Sequence, residues 1–176
     1  MIPNKTRIAV AALAFSASGL VGLTAYESYT GRAVIPVPGD KPTIGFGTTE
    51  GVKLGDRTTP PKALARALSD IGKYEGAIKR CVTVPLTQSE YDAYTSLAYN
   101  IGPTLFCNST LVKELNAGHY DAACAHIEDF ICGPATGANQ AEYGEPCYST
   151  RKPKRVIRGL QNRRAQERAI CEGRAP

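Results

Sequence analysis

Tyr26-Glu27-Ser28-Tyr29 follows directly on an uncharged run. After it come Arg32-Ala33-Val34-Ile35-Pro36-Val37, then Pro38-Gly39-Asp40-Lys41-Pro42, then Thr43-Ile44-Gly45-Phe46-Gly47. This order reads as a helix ending near Glu27, an apolar strand over 33–37, a Pro-Gly turn and a second strand from Thr43. Glycines in that second strand let another backbone or a ligand approach closely. A carboxylate at a helix end, facing a short hairpin, can form one wall of a cleft around a glycosidic bond. Breaking such a bond takes a carboxylic acid whose pKa is raised by a poorly solvated site. It also takes a second group that orients a water or stabilises oxocarbenium-like charge. Glu27 is the candidate acid. Thr43 can hold a water but does not ionise usefully. Asp40 supplies a base if the hairpin curls over the cleft, and is otherwise a solvated turn aspartate.

The elements that must position these groups are legible further along the chain. Thr59-Pro60-Pro61 opens a helix running to about Cys81, with Ala63, Leu64, Ala67, Leu68 and Ile71 at helical spacing. Thr87-Gln88-Ser89-Glu90 is a capping box. The helix behind it carries Tyr91, Tyr94, Leu97 and Ala98 on one side and ends at Gly102-Pro103. Tyr99 and Asn100, near that end, are candidates for lining a sugar subsite, and a helix-capping role suits Asn100 equally well. Shorter helices are expected around 109–116 and 121–130, the first closed by Gly118. The stretch 133–150 reads as a loop, and a last helix covers about 160–171. The expected fold class is α+β, with a small β-hairpin lobe, a larger helical lobe and the cleft between them.

Four features in order carry a resemblance. They are Glu27 at a helix end, Thr43 heading a Thr-x-Gly-x-Gly strand, Ala98-Tyr99-Asn100-Ile101-Gly102, and Gly159-Leu160 followed by Arg163-Arg164 and Glu167. Together they resemble the phage T4-type lysozymes, glycoside hydrolase family 24, over the whole chain. The resemblance implies a lysozyme-like fold, Glu27 as acid and Thr43 as its partner. It also implies hydrolysis of the peptidoglycan β-1,4 bond between N-acetylmuramic acid and N-acetylglucosamine, with host cell lysis as the outcome and no cofactor. Two departures stand out. Val37 lies six residues before Thr43, where the family usually has aspartate or cysteine, so Asp40 is the nearest carboxylate. Thr48 follows the Gly-x-Gly where members commonly carry histidine. The missing aspartate keeps a lytic transglycosylase, which also needs one glutamate, among the readings. A non-catalytic, membrane-tethered wall-binding protein is another.

Lys5 and Arg7 precede an uncharged run from Ile8 to Ala25, the layout of an export signal. Its 18 residues lie near the lower limit for a membrane-spanning helix. Eleven of them are Ala, Gly, Ser or Thr, which contribute little transfer free energy. A cleaved signal, a permanent anchor and a reversible anchor compete. Cleavage after Ala25 leaves Glu27 second in the mature chain and removes its helix, which favours the reversible anchor. Signal-arrest-release behaviour is known among exported phage lysozymes, and the resemblance implies it here. Residues 1–25 then form the signal-anchor segment and 26–176 the catalytic domain. The enzyme is expected to be inactive while tethered to the host inner membrane and active once released into the periplasm.

The 176 residues suit one compact domain, and the apolar share of 43% argues against disorder. The formal charge is +5, and from Arg151 to Arg174 nine Lys or Arg stand against Glu167 and Glu172. Such a stretch suits an anionic partner such as the cell wall, or is simply a solvated helix face. Zinc-finger spacing and aromatic-basic patterns are missing, so nucleic acid is not expected as a partner. A monomer is. His119 and His126 read as ordinary residues rather than metal ligands. Six cysteines without a Cys-x-x-Cys pair, behind an export signal, read as disulfides. Cys132 and Cys147 bracket the polar stretch and form a loop staple. The other four pair most simply as Cys81 with Cys107 and Cys124 with Cys171.

Overall fold

Ser16 opens the first helix: its hydroxyl accepts the Gly19 amide at 3.0 Å. From there α1 (Ala17–Tyr26) runs to Glu27, where the backbone turns extended. A computed structural model describes residues 6–36, 39–134, 143–147 and 154–174. In it the uncharged run does not stand apart from the body. Ile8 forms a two-way backbone bridge with Leu86, Val10–Ala12 is a 3-10 turn, and Val10, Leu13 and Leu23 are buried. Polar contacts reinforce this docking. The Ser16 amide and hydroxyl both donate to Asp92, the Phe15 amide donates to Glu75 at 2.8 Å, and Arg7 pairs with Glu90. Among the described residues no helix is long and apolar enough to cross a membrane.

Strands β1 (Thr30–Val34) and β2 (Thr43–Gly45) pair antiparallel, with Thr30 opposite Gly45 and Val34 opposite Thr43. The first strand therefore begins earlier than the apolar run suggested and ends at Val34 rather than Val37. Val37 itself lies outside the described residues. The reason is main-chain pairing. Ala33 and Thr58 bond to the carbonyls of Asp56 and Gly31 along the strand's other edge, whereas Val34 and Ile35 are exposed and bury nothing.

The helical lobe follows the expected pattern closely. Helix α2 (Pro60–Cys81) has two prolines at its start, where their missing N–H costs nothing. It buries Ala63, Ala67, Ile71, Ala77 and Ile78. Helix α3 (Gln88–Ile101) carries both halves of the capping box. Tyr91, Tyr94, Leu97 and Ala98 are fully buried on it, and it packs against α1 and α2. Short helices α4 (Pro103–Cys107), α5 (Thr110–Asn116) and α6 (Tyr120–Ala125) close one side, and a 3-10 turn continues α6 to Asp129. The expected loop is in part a sheet: β3 (Cys132–Pro134) and β4 (Tyr143–Cys147) flank β5 (Lys154–Ile157) in antiparallel order β3-β5-β4. Gly and Pro hid this from the side-chain pattern, because the pairing is carried by main-chain bonds. Helix α7 (Arg158–Cys171) packs on α3.

Disulfides join Cys81 to Cys107 and Cys124 to Cys171, as the helix order suggested, with Cα atoms 5.7 Å apart in each. Cys132 is also disulfide-bonded. Its expected pairing with Cys147 rests on a side chain outside the described residues.

Candidate active site

Glu27 caps the C-terminal end of α1, and its side chain lines a cavity of about 300 Å³ where the end of the hairpin meets α2 and α3. Thr48, Asp70, Lys73, Tyr99 and Asn100 line the same cavity. Two neighbours fix the carboxylate. Glu27 Oε1 accepts Arg163 Nη1 at 2.8 Å, and Oε2 lies against Gly47, where an added Cβ would come within 3.1 Å of it. Gly47 also has φ +83°, so glycine is required there twice over.

Behind Glu27 lies a buried charge network. Arg163 Nε donates to Glu167 Oε1 at 3.0 Å, Ser96 Oγ donates to the same oxygen at 2.7 Å, and Arg164 Nη1 donates to Glu167 Oε2. Arg164 and Glu167 have no exposed surface. Burial opposes the charge of Arg163, but Glu167 and Glu27 outweigh it and hold the guanidinium above its ordinary pKa. Arg164 also donates to Asn100 Oδ1, so Asn100 secures α7 instead of capping its own helix. Of the expected basic stretch, Arg163 and Arg164 are internal, whereas Arg155, Arg158 and Arg174 are exposed. Arg163, Arg164 and Arg168 pair with Glu167 or Glu172 at helical spacing, and Arg174 pairs with Glu172 just past the end of α7.

Tyr99 connects the two lobes. Its hydroxyl donates to the Phe46 carbonyl at 2.9 Å, and its ring meets Tyr74 with centroids 5.0 Å apart. Burial pushes its phenol pKa well up, and the negative charges of Glu27 and Asp70 add to this, so it stays a neutral donor.

The hairpin side differs from expectation. The Thr43 hydroxyl donates to the Lys41 carbonyl at 3.2 Å, and Asp40 is exposed in the turn. Neither lines the cavity that Glu27 lines. Thr48 does: its side chain is buried and donates to Asp70 Oδ2 at 2.9 Å. Lys73 bonds both Asp70 and Glu50. Sequence reading passed over Asp70, Lys73 and Tyr74, yet their i, i+3, i+4 spacing puts them on one face of α2. His119 pairs with Glu114 and His126 with Asp129, both at the surface. Among the described residues no group of three or more His, Cys, Asp or Glu is placed to hold a metal ion.

A glutamate at a helix end, set against a Thr-x-Gly-x-Gly hairpin in a cleft beside a helical lobe, is the arrangement of the lysozyme fold. The chain belongs to the phage lysozyme family, whose model it matches over residues 24–167. It is accordingly a peptidoglycan-hydrolysing enzyme. It is 34% identical over 157 residues to the endolysin of Acyrthosiphon pisum secondary endosymbiont phage 1, covering 89% of this chain and 97% of that one. Identity to the SAR-endolysin of Pseudomonas phage phiKMV is 37% over 114 residues, covering 65% and 68%. The solved endolysin from Escherichia coli O157:H7 phage FAHEc1 superposes with a TM-score of 0.75 at 29% identity, covering 90% and 93%.

Proposed function

We propose that the chain is a muramidase: Glu27 protonates the leaving oxygen of the β-1,4 bond between N-acetylmuramic acid and N-acetylglucosamine, and water completes the hydrolysis. The observation that carries this is the setting of Glu27, held by Arg163 on one oxygen and facing an open cavity beside Tyr99 and Asn100. In this reading Tyr99 and Asn100 line a sugar subsite. Thr43 and Asp40 take part if the hairpin closes over bound glycan, whereas Asp70, hydrogen-bonded by Thr48, is a carboxylate already on the cavity wall.

Residues 1–25 hold the enzyme inactive at the host inner membrane, and release lets it act in the periplasm as a monomer. The likeness to a relative named SAR-endolysin supports this. So does burial of Val10, Leu13 and Leu23 in the folded body, which gives the released segment a place to go. Gly22 tests the anchor cleanly because a Cβ there meets nothing within 4 Å, whereas at Gly19 it would strike the Phe15 ring. Gly22→Leu is expected to shift the chain towards membranes and delay lysis.

The deciding experiment compares wild type with Glu27→Gln on purified sacculi, reading both rate and products. Reducing ends from the wild type and a loss of roughly 10²–10⁴-fold in the variant are expected. Products with 1,6-anhydro ends, or substantial activity left in Glu27→Gln, would overturn the reading.

A further inference from the structure

Arg163 is planar, and its hydrogen bonds use only its edge. Nη1 donates to Glu27 at 2.8 Å, Nε donates to Glu167 at 3.0 Å, and Nη2 reaches towards the Ser96 carbonyl at 3.5 Å. Hydrogen bonds cannot cover the faces of a guanidinium. Tyr26 covers one of them: the guanidinium carbon stands 4.9 Å from the centre of its ring, within the range where an aromatic face attracts a cation. The ring is itself fastened. Its hydroxyl donates to Gln166 Oε1 on α7 at 2.6 Å. Burial pushes the phenol pKa up and Glu167 adds to this, against a smaller opposing pull from Arg163 and Arg164, so the phenol remains a neutral donor.

Tyr26 also lines an open groove of about 740 Å³ between α1 and α7, with Val21, Gly22 and Ile170, and Arg163 does not line that groove. The Arg163 side chain is only 8% exposed. The ring therefore stands between solvent in the groove and the cation that holds the acid. Successive residues of one helix end grip that cation in two ways. Tyr26, the last residue of α1, takes the face, and Glu27, already in extended backbone, takes the edge. We infer that Tyr26 is a positioning residue for hydrolysis: its ring keeps Arg163 seated and dry, and so holds the Glu27 side chain towards the glycan. This rests on the muramidase reading above. It ties the acid's orientation to the packing of the last turn of α1 against α7.

Two measurements on the full-length, released protein test it. The first takes kcat and KM on solubilised glycan strands for Tyr26→Phe and for the same position carrying difluoro- and trifluorophenylalanine. These rings keep their shape while the negative charge of their face is withdrawn in steps. Tyr26→Phe is expected to stay within about twofold of wild type, and kcat to fall about three- to tenfold at the trifluorinated ring with KM unchanged. A constant kcat across the series, whether or not melting shifts, overturns the inference. The second follows exchange of the Arg163 Nε–H with water by NMR. Exchange should be slow in wild type and Tyr26→Phe and at least tenfold faster in Tyr26→Leu. Equal exchange in all three contradicts the shielding role. This readout does not depend on the chemistry of turnover, so wild-type products with 1,6-anhydro ends count against the muramidase reading alone.

Discussion

The two walls of the cleft are built on opposite principles. On the acid wall, Glu27 is backed by Arg163, Glu167, Arg164 and Ser96, nearly all without solvent contact. On the hairpin wall, Asp40 is exposed, Thr43 is satisfied by its own turn, and the Glu50–Lys73 pair stands in water. Buried ions lose several kcal/mol if a partner is removed, while exposed pairs contribute little. The carboxylate of Glu27 is therefore fixed by the protein, and the opposite wall is less constrained.

Arg163→Met gives the sharpest test. It removes a buried cation from between two carboxylates, and a loss of about 3–5 kcal/mol is expected in chemical denaturation, with turnover falling as Glu27 loses its orientation. A variant as stable as wild type would erase the distinction between the walls. Reduction comes next. The Cys124–Cys171 bond secures the end of the helix that bears Arg163, and opening it is expected to cost about 2–4 kcal/mol, read as a lower melting midpoint in reductant. Ser16→Ala removes the cap of α1 and the hydroxyl's bond to Asp92, a cost of about 0.5–2 kcal/mol. Activity should fall with stability in that variant, since α1 carries the acid. On the other wall, Asp70→Asn is expected to lower turnover several-fold with little change in melting, through the lost charge facing the cavity. Asp40→Asn should change neither, as befits a surface position. A large activity loss in Asp40→Asn would mean that the hairpin does close over the glycan.

The acid wall was partly legible in the sequence. A glutamate just past an apolar run and before a hairpin marked itself, and the Gly-Leu, Arg-Arg and Glu pattern pointed to α7. What Arg163 and Arg164 do there was not legible. Charges clustered along a sequence look like surface, and only three-dimensional packing reveals that they are buried opposite Glu27 and Glu167. On the hairpin wall the sequence did not show where the side chains point. Thr43 and Asp40 are close in sequence to the expected cleft, but a turn can rotate a side chain away without altering the pattern of residue types. Asp70 arrived from α2, a long-range contact that local spacing cannot signal. Helix starts and the two helix-joining disulfides were recoverable because caps, prolines and element order are local properties.

Helix α1 is fastened at both ends, by Ser16 to Asp92 and by Glu27 to Arg163. The length between those two fastenings works as a gauge. Each residue of an α-helix adds about 1.5 Å and turns the next side chain by about 100°. One insertion or deletion between 16 and 27 would therefore swing the Glu27 carboxylate out of the cleft even if every other side chain in the site stayed the same. Substitutions along that stretch can drift as core packing allows, but its count of residues cannot. Among descendants of this sequence, the segment should vary in spelling and hold its length.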